Sequence, residues 1–543
     1  MTRDLEHLTR QHYDLLVIGG GVHGLFAAYD AALRGLSVVL VDRGDFGGGL
    51  SFNHQRTIHG GLRALERGNV RKARQQIAER RAWARIAPHL LRPLPFLIGT
   101  YRWTRRSRWA LKAGFAAYDF VGRGRNTDVV PELHVPKARL ESAAATRKLF
   151  PGVSEAGLTG GAVWYDYQTR HPDRLTWTVA LAADQAGAKL LNYVEAVSPI
   201  KRNGTVVGAR VRDALTGAEH EVEAAATLVA AGSRVGQVLT AFGATGAPPL
   251  LRAMNVLLNR PARDIATAAA APSGRMLTAV PWCGYVLVGT HQSDGTVGAE
   301  ETRPPGEAVE SCLRDLNAAF PRLHATPADI RLIQHGLAPA TVQDGRADLL
   351  AEPRVIRHTA EGAPGLVSLV GVKYTTARLA AERAVDVVCH QLGRPVGRCR
   401  TGTRGLPHAG VADVEGRLME TLRALGLTLD PEVLAHLASW YGTEASDLLR
   451  YAAGRHLLDR LDATTPVITG EIAHAAEFAQ AVRLSDAVLR RTSLGSAGHP
   501  GSAALERAAE VMGAQPGWST AARAAEIAAV EEIYPVVSSA RAP

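Results

Sequence analysis

Tyr13-Asp14-Leu15-Leu16-Val17-Ile18-Gly19-Gly20-Gly21-Val22-His23-Gly24 is a strand-length apolar run that ends directly in glycines. Residues 22–34 are rich in Ala and Leu and free of Pro, so they read as a helix, with Gly35 as its C-terminal stop. Ser37-Val38-Val39-Leu40-Val41 reads as the next strand, closed by Asp42. The result is a βαβ unit with Gly19-x-Gly21-x-x-Gly24 at its first turn. Gly19 permits the tight turn, Gly21 lets the backbone approach a pyrophosphate, and Gly24 lets helix and strand pack closely. The helix N-terminus offers unpaired N–H groups and a positive dipole end to phosphates. Asp42, eighteen residues beyond Gly24, is placed for a ribose hydroxyl. In a chain with 54 glycines the glycine spacing alone would say little. The order strand, helix, strand, acid is what points to a dinucleotide.

The 543 residues can bury two cores. A hydrophobic content of 46% with 21% charged residues is that of a soluble globular protein. Residues 2–12 are polar and charged, and no apolar run reaches spanning length, so neither a signal peptide nor a transmembrane helix is expected. Cys283, Cys312, Cys389 and Cys399 lack metal spacing and read as reduced thiols of a cytoplasmic protein, with no metal site. The formal charge of +10 suits an anionic substrate, an anionic membrane surface or an arginine-rich proteome. No nucleic-acid motif accompanies it, and no nucleic-acid partner is expected. Residues 101–118 interleave Arg102, Arg105, Arg106, Arg108 and Lys112 with Tyr101, Trp103, Trp109, Phe115 and Tyr118. Two readings fit this cluster: rings and guanidiniums at a bilayer headgroup layer, or a solvated basic helix with an aromatic core face.

Beyond the first unit, residues 65–87 read as a charged helix stopped by Pro88. Residues 188–197 read as a strand, and 205–211 with 220–223 as a hairpin. Residues 226–231 form another buried strand ending at Gly232. A distant strand that returns to a glycine turn is the pattern of a large Rossmann-like nucleotide-binding domain with an inserted, β-rich substrate domain. Residues 254–260 and 285–290 are further strands of that insert. Residues 366–370 run into Gly371 and then Lys373-Tyr374-Thr375-Thr376, followed by an amphipathic helix over 377–392. Residues 393–410 read as a linker. From 411 the chain turns helical, with Asp430-Pro431 as a cap and long segments over 470–491, 502–512 and 520–533. The expected class is α/β (α+β overall): interleaved nucleotide and substrate domains over 1–400, then an all-α domain over 411–543.

These residues resemble the FAD-dependent glycerol-3-phosphate dehydrogenases, flavoproteins that hand electrons to quinone. The resemblance covers nearly the whole chain. It rests on Gly19 to Gly24, on Ile58-His59-Gly60-Gly61-Leu62-Arg63, and on Tyr165-Asp166-Tyr167-Gln168 with Asp173-Arg174-Leu175. It continues in Pro281-Trp282 with Gly289-Thr290, and in Gly371-Val372-Lys373-Tyr374-Thr375-Thr376-Ala377-Arg378. In the tail it includes Glu471-Ile472 and Asp486-Ala487-Val488-Leu489-Arg490-Arg491-Thr492. The resemblance implies oxidation of the secondary alcohol of sn-glycerol 3-phosphate by hydride transfer to flavin N5. By the same analogy Gly19, Gly21, Gly24 and Asp42 hold the ADP part of FAD. His59, Gly60 and Gly61 approach the flavin, with Gly232, Gly371 and Thr375 also against the cofactor. Lys373 lines the substrate side, and Arg63 pairs with the anionic group, since a guanidinium fork matches phosphate. The implied partners are a small anionic substrate, quinone, and the inner face of the cell membrane through residues 101–118.

The chain departs from this family on the substrate side. Where the family has Lys-Gly-Ser-His, it has Arg252-Ala253-Met254-Asn255; the first charge survives and the imidazole becomes the amide of Asn255. Where the family has Gly-x-Arg-Pro, it reads Gly336-Leu337-Ala338-Pro339, and Ala338 cannot bind phosphate. Ala64 stands where an aromatic is expected after Arg63. Arg252, Arg354 and Arg357 are candidates to replace the missing charge, and His59, His335 and Lys373 are candidates for the group that takes the alcohol proton. A second reading is therefore a flavoenzyme of the same architecture acting on another hydroxy compound, and a third is a non-catalytic FAD-binding protein that docks partners through its tail.

Overall fold

A computed structural model of the chain describes residues 1, 3–9, 11–102, 107–394, 397–410 and 413–534. The βαβ unit forms as read: β1 (Tyr13–Ile18), α1 (Val22–Leu33) and β2 (Val38–Val41). β1 lies at the centre of a mixed sheet, parallel to β2 on one side and to the strand Glu219–Val229 on the other. Leu366–Val370 follows in parallel, Arg354–Arg357 closes that edge antiparallel, and Lys189–Leu191 closes the other. All four residues of β2 and five of the six in β1 are buried, as a parallel sheet covered on both faces requires.

One face packs α1 with Pro172–Gln185 and Ala377–Leu392, through Phe26, Leu175, Val179, Val385 and Val388. The other face packs Leu16, Val39 and Val41 against Val206, Val211, Val222 and Phe242.

Three expected elements differ from their reading. The hairpin strand over 220–223 and the buried strand over 226–231 are one continuous strand, Glu219–Val229. Its first half pairs antiparallel with Thr205–Asp213 and its second half parallel with β1. Residues 188–197 split into Lys189–Leu191 and Val194–Arg202, because Tyr193 takes a left-handed φ of 55°. The helix over 65–87 becomes α2 (Leu62–Glu66) and α3 (Val70–Ile86), parted by Gly68 at φ 73°.

The inserted region builds a second mixed sheet. Leu250–Pro261 lies between Ile330–Gln343 and Tyr285–Gln292, and the sheet continues through Met276–Trp282 and Ala266–Ala270 to Leu91–Tyr101 and Leu158–Thr169. β3 (Thr57–Ile58) closes it and carries the chain from the nucleotide turn to this sheet. The tail packs Val414–Leu425, Pro431–Tyr441, Ala445–Ala453, Thr469–Phe478, Ser502–Ala514 and Thr520–Glu531 around two apolar groups, one its own and one shared with Leu257, Trp282, Leu287 and Leu332 of the inserted sheet. The fold is thus of a Rossmann-like nucleotide-binding type with an inserted sheet and a C-terminal helical region. Among the described residues, no helix is long and apolar enough to cross a membrane.

Candidate active site

The turn after β1 is shaped by contacts that exclude side chains. Gly19 has φ 112°, and a Cβ there would stand 2.6 Å from the Ala230 carbonyl oxygen at the end of the return strand. A Cβ at Gly24 would overlap the Gly19 carbonyl oxygen. α1 starts after Gly21, which brings no side-chain cap, and has no acidic residue in its first turn; Ser51 Oγ accepts the Val22 N–H at 2.9 Å, and the positive end of the helix favours an anion beside it. The Asp42 carboxylate accepts the Gly20 N–H at 2.5 Å and the Gly44 N–H at 2.8 Å. Burial nevertheless pushes its carboxyl up to about 6. With four lone-pair sites and two N–H partners it retains capacity for a ribose hydroxyl.

Across this turn lies Gly371, where a Cβ would strike the His23 ring. His23 sits in the first turn of α1, half-buried, and burial lowers its imidazole to about 4; its Nε2 is a buried polar atom with no protein partner. A narrow glycine-walled cradle, a helix end without acidic residues and an orphaned imidazole nitrogen fit a dinucleotide. Gly232, at φ 58°, ends the return strand on the same side of the sheet.

His59 follows β3, and its ring is half-exposed while each of its nitrogens meets a partner. Its Nδ1 lies 3.2 Å from Asp166 Oδ2 and its Nε2 2.9 Å from Thr57 Oγ1. Its backbone N–H donates to Thr375 Oγ1 at 3.1 Å. Asp166 Oδ1 accepts the Gly60 N–H at 2.6 Å and Arg80 Nη1 at 2.7 Å. Burial would raise the Asp166 carboxyl, but the His59 hydrogen bond and the Arg80 guanidinium outweigh it and hold it below its usual value. An ionised carboxylate only accepts, so Nδ1 of a neutral His59 carries the proton and Nε2 accepts from Thr57. Gly60 has no room for a Cβ against Arg80 and Tyr118, and the Tyr118 hydroxyl donates to the Gly60 carbonyl at 2.9 Å. Gly61 takes φ 84° as the cap of α2, 3.0 Å from the Ala73 backbone by its absent Cβ.

Arg63 lies on α2, and Lys373 two residues before Thr375. Trp83 Nε1 donates to the Thr375 carbonyl at 3.0 Å and fastens this loop to α3. Lys373 is solvent-exposed on this loop. Partial desolvation by the surrounding chain, with the positive charges of Lys72, Arg63 and Arg67 and against Glu352, pulls its ammonium down to about 8. Lys72 itself donates to the Ala351 carbonyl at 2.8 Å. Cations from α2, α3 and the Lys373 loop therefore act on one region of space.

The inserted sheet supplies the opposite wall, and strand parity decides which residues face it. Leu251, Ala253 and Asn255 stand opposite Ala338, Gly336 and Gln334. Leu50 and the Gln55 loop cover this face: a Cβ at Gly336 would meet Leu50, and Gln55 Nε2 donates to the Gly289 carbonyl at 2.9 Å. Asn255 is buried and its amide oxygen accepts from Thr290 Oγ1 at 2.9 Å. Ala338 packs in an apolar group with Leu251, Ala340 and Ala347. Arg252 and His335 alternate onto the other face. There Arg252 reaches the Glu301 carbonyl at 3.1 Å, and His335 Nδ1 lies 2.8 Å from the Thr302 carbonyl. The structure does not bring either to Arg63 and Lys373. Arg354 and Arg357 are exposed on the edge strand of the nucleotide sheet, a different sheet from Ala338.

Sequence reasoning named His59, Gly60, Gly61, Arg63, Lys373 and Thr375, which the fold gathers. It missed His23, Thr57, Arg80 and Tyr118 and gave Asp166 no role. The available signals were a titratable side chain inside the glycine turn and a carboxylate in the Tyr165-Asp166-Tyr167-Gln168 motif.

Residues 14–387 match a family model described as FAD dependent oxidoreductase, and residues 399–523 match the C-terminal domain of alpha-glycerophosphate oxidase. The chain is 30% identical over 514 residues to a glycerol-3-phosphate dehydrogenase of Synechocystis sp., covering 91% of this chain and 90% of that protein. It is 31% identical over 503 residues to glycerol-3-phosphate dehydrogenase 2 of Mycobacterium tuberculosis, covering 90% and 82%. The crystal structure of the glycerol-3-phosphate dehydrogenase from Bacillus halodurans complexed with FAD superposes with a TM-score of 0.73 at 24% identity, covering 97% of this chain and 95% of that one.

Proposed function

The chain belongs to the FAD-dependent glycerol-3-phosphate dehydrogenases, and from that premise we propose that it oxidises sn-glycerol 3-phosphate to dihydroxyacetone phosphate and passes the electrons to a quinone. The observation that carries this reading is the cation group of Arg63, Arg67, Lys72 and Lys373 beside a carboxylate-oriented histidine. Gly19, Gly21 and Gly24 admit the pyrophosphate of FAD, Asp42 takes the ribose, and Gly232, Gly371 and His23 border the rest of the dinucleotide. FAD, when bound, supplies the two-electron acceptor that takes the carbinol hydrogen as hydride at N5. Arg63 and Lys373 hold the substrate's phosphate, Arg63 through a fork that matches its oxygens. His59 accepts the hydroxyl proton at Nε2 once Thr57 yields that position. Asp166, itself held by Arg80 and the Gly60 N–H, stabilises the imidazolium so formed.

The Asn255 amide and the apolar setting of Ala338 favour a second reading, a different hydroxy compound or polyol phosphate on the same scaffold. The two separate in one experiment. Anaerobic holoenzyme mixed with glycerol 3-phosphate should lose its oxidised-flavin absorbance. Flavin that stays oxidised with glycerol 3-phosphate and is reduced by another hydroxy compound gives the second reading.

For electron delivery, α4 (Arg108–Val121) is the surface we assign to an anionic membrane on the inner face of the cell membrane. Trp103, Arg105 and Arg106 of the basic aromatic cluster lie outside the described residues. Within α4, Phe115 and Tyr118 are core, while Trp109 is 79% and Phe120 58% exposed. Lys112 lies 5.6 Å from the Trp109 ring and Arg123 lies 4.5 Å from that of Phe120, which pairs cations with the outward rings.

A further inference from the structure

The tail contains a motif that the reaction leaves unused: Asp486-Ala487-Val488-Leu489-Arg490-Arg491. Two consecutive arginines on an α-helix point about 100° apart. Here Ala487–Arg491 is wound as a π-turn, closed by the Thr492 N–H on the Ala487 carbonyl at 3.0 Å, and both arginines reach one carboxylate. That carboxylate is Asp45, 1% exposed for its side chain and three residues beyond Asp42. Its Oδ2 accepts Arg490 Nε at 2.5 Å and Arg491 Nη1 at 3.0 Å; its Oδ1 accepts Arg491 Nη2 at 2.6 Å and the Asn192 amide at 3.1 Å.

The loop that Asp45 anchors grips the phosphate turn on both sides of Gly20. The Asp42 carboxylate takes the Gly20 N–H, and the Gly47 N–H donates to the Gly20 carbonyl at 2.9 Å. The Phe46 ring fills the space a Gly20 Cβ would need. A second tie runs in parallel. The Tyr193 N–H donates to the Gly44 carbonyl at 3.0 Å, its hydroxyl donates to Asp486 at 2.8 Å, and Asp486 accepts Arg490 Nη2 at 2.7 Å. Arg491 is fixed from behind by the Trp177 ring at 4.3 Å and by its Nε on the Ala479 carbonyl at 2.8 Å.

We propose that Arg490 and Arg491 are positioning residues for FAD: the helical tail holds Asp45 and thereby sets the 42–47 loop that shapes the phosphate turn. A tether between two packed regions could attach anywhere on the nucleotide domain; this one attaches to the loop that carries the ribose carboxylate. The inference rests on FAD as the ligand and holds whichever hydroxy compound is oxidised.

The test uses full-length Arg490→Lys and Arg491→Lys, which keep the charge and lose the fork, with Arg491→Met as the stronger change. Glu471→Gln is the control, a buried tail position that bonds His436 and the Ile468 N–H. FAD affinity and dissociation rate are read from the fluorescence of released flavin, alongside the melting temperature of the apoprotein. The arginine variants should weaken FAD by about tenfold or more, the scale of one charge-assisted hydrogen bond. Their KM for substrate in excess FAD should stay within about twofold of wild type, and the control should keep its flavin at an equal loss of melting temperature. Wild-type FAD affinity in the two lysine variants, or equal flavin loss in the control, overturns the proposal. If Arg491→Met does not fold, the lysine variants decide it.

Discussion

At the level of single residues, the proposed site divides into an oriented histidine and a labile cation. His59 is held by Asp166 on one nitrogen and Thr57 on the other, so its removal should cost chemistry more than binding. His59→Asn should lower the rate of anaerobic flavin reduction by about 10²- to 10⁴-fold, the usual worth of a general base, with KM little changed. A loss confined to KM would remove His59 from the chemical step. Lys373 makes a pH prediction. Partial desolvation and its cationic neighbours lower its ammonium to about 8, so its charge is lost as pH rises through that value. KM for an anionic substrate should therefore climb above pH 8 while kcat holds, and Lys373→Met should show the raised KM at every pH. The linkage to folding has the opposite sense: between about 8 and the ordinary lysine value near 10.5 the unfolded chain binds the extra proton, so stability rises with pH there. His59, Gly60 and Gly61 were legible because they lie in one short run. Asp166, 107 positions away, was quoted in a motif but could not be paired with His59 without the fold. Arg252 was misleading for a simpler reason: three steps along a strand reverse the face, so it and Asn255 cannot share a wall.

At the level of elements, the unit β1, α1 and β2 was readable residue by residue, since strand, glycine turn and helix are set by near neighbours. The strand Glu219–Val229 was not, because the alanines at 224–226 resemble a break while pairing in two directions keeps it whole. Gln480, with φ 48°, likewise interrupts the helix expected over 470–491 and leaves Thr469–Phe478 separate from the π-turn. No glycine or proline announces either event. α4 shows the same division on one helix. Its aromatic pattern admitted a core face and a membrane face, and Phe115 and Tyr118 turn inward while Trp109 and Phe120 turn outward. Trp109→Ala with Phe120→Ala should reduce sedimentation with anionic vesicles and slow quinone reduction, with flavin reduction by substrate unchanged. Arg108→Glu with Lys112→Glu should make binding weaker still and abolish its dependence on anionic lipid. Undiminished vesicle binding by both pairs would assign membrane contact to another surface.

Across the whole molecule, the tail is joined to the catalytic half by buried polar groups rather than by apolar surface alone. Arg174 bonds Glu444 and lies 4.9 Å from the Tyr441 ring, while the His171 ring tilts against Trp440 at 4.4 Å. His408 and His474 flank Glu444 at 3.9 Å, and His89 lies beneath Gly442. Burial first, and Arg174 among the nearby charges, lowers His89 to about 3, His408 and His474 to about 4, and His171 well below its usual value. His89, His408 and His474 are therefore neutral in the folded chain at pH 5, where the unfolded chain protonates them, and the downward shift of His171 acts in the same direction. The sign follows: stability is full above the ordinary histidine value near 6.5 and is lost as pH falls from there towards about 4. His89, His408 and His474 each contribute at most about 1.4 kcal/mol per pH unit across that window. The melting temperature should consequently fall by several degrees between pH 7 and pH 5, with proton uptake on unfolding. Because the tail also grips Asp45, flavin should leave within the same transition. His171→Gln with His474→Gln should flatten the pH dependence, as neither amide titrates. A melting temperature that is level from pH 7 to pH 5 in the wild type would show that this junction does not couple protonation to the union of the two halves.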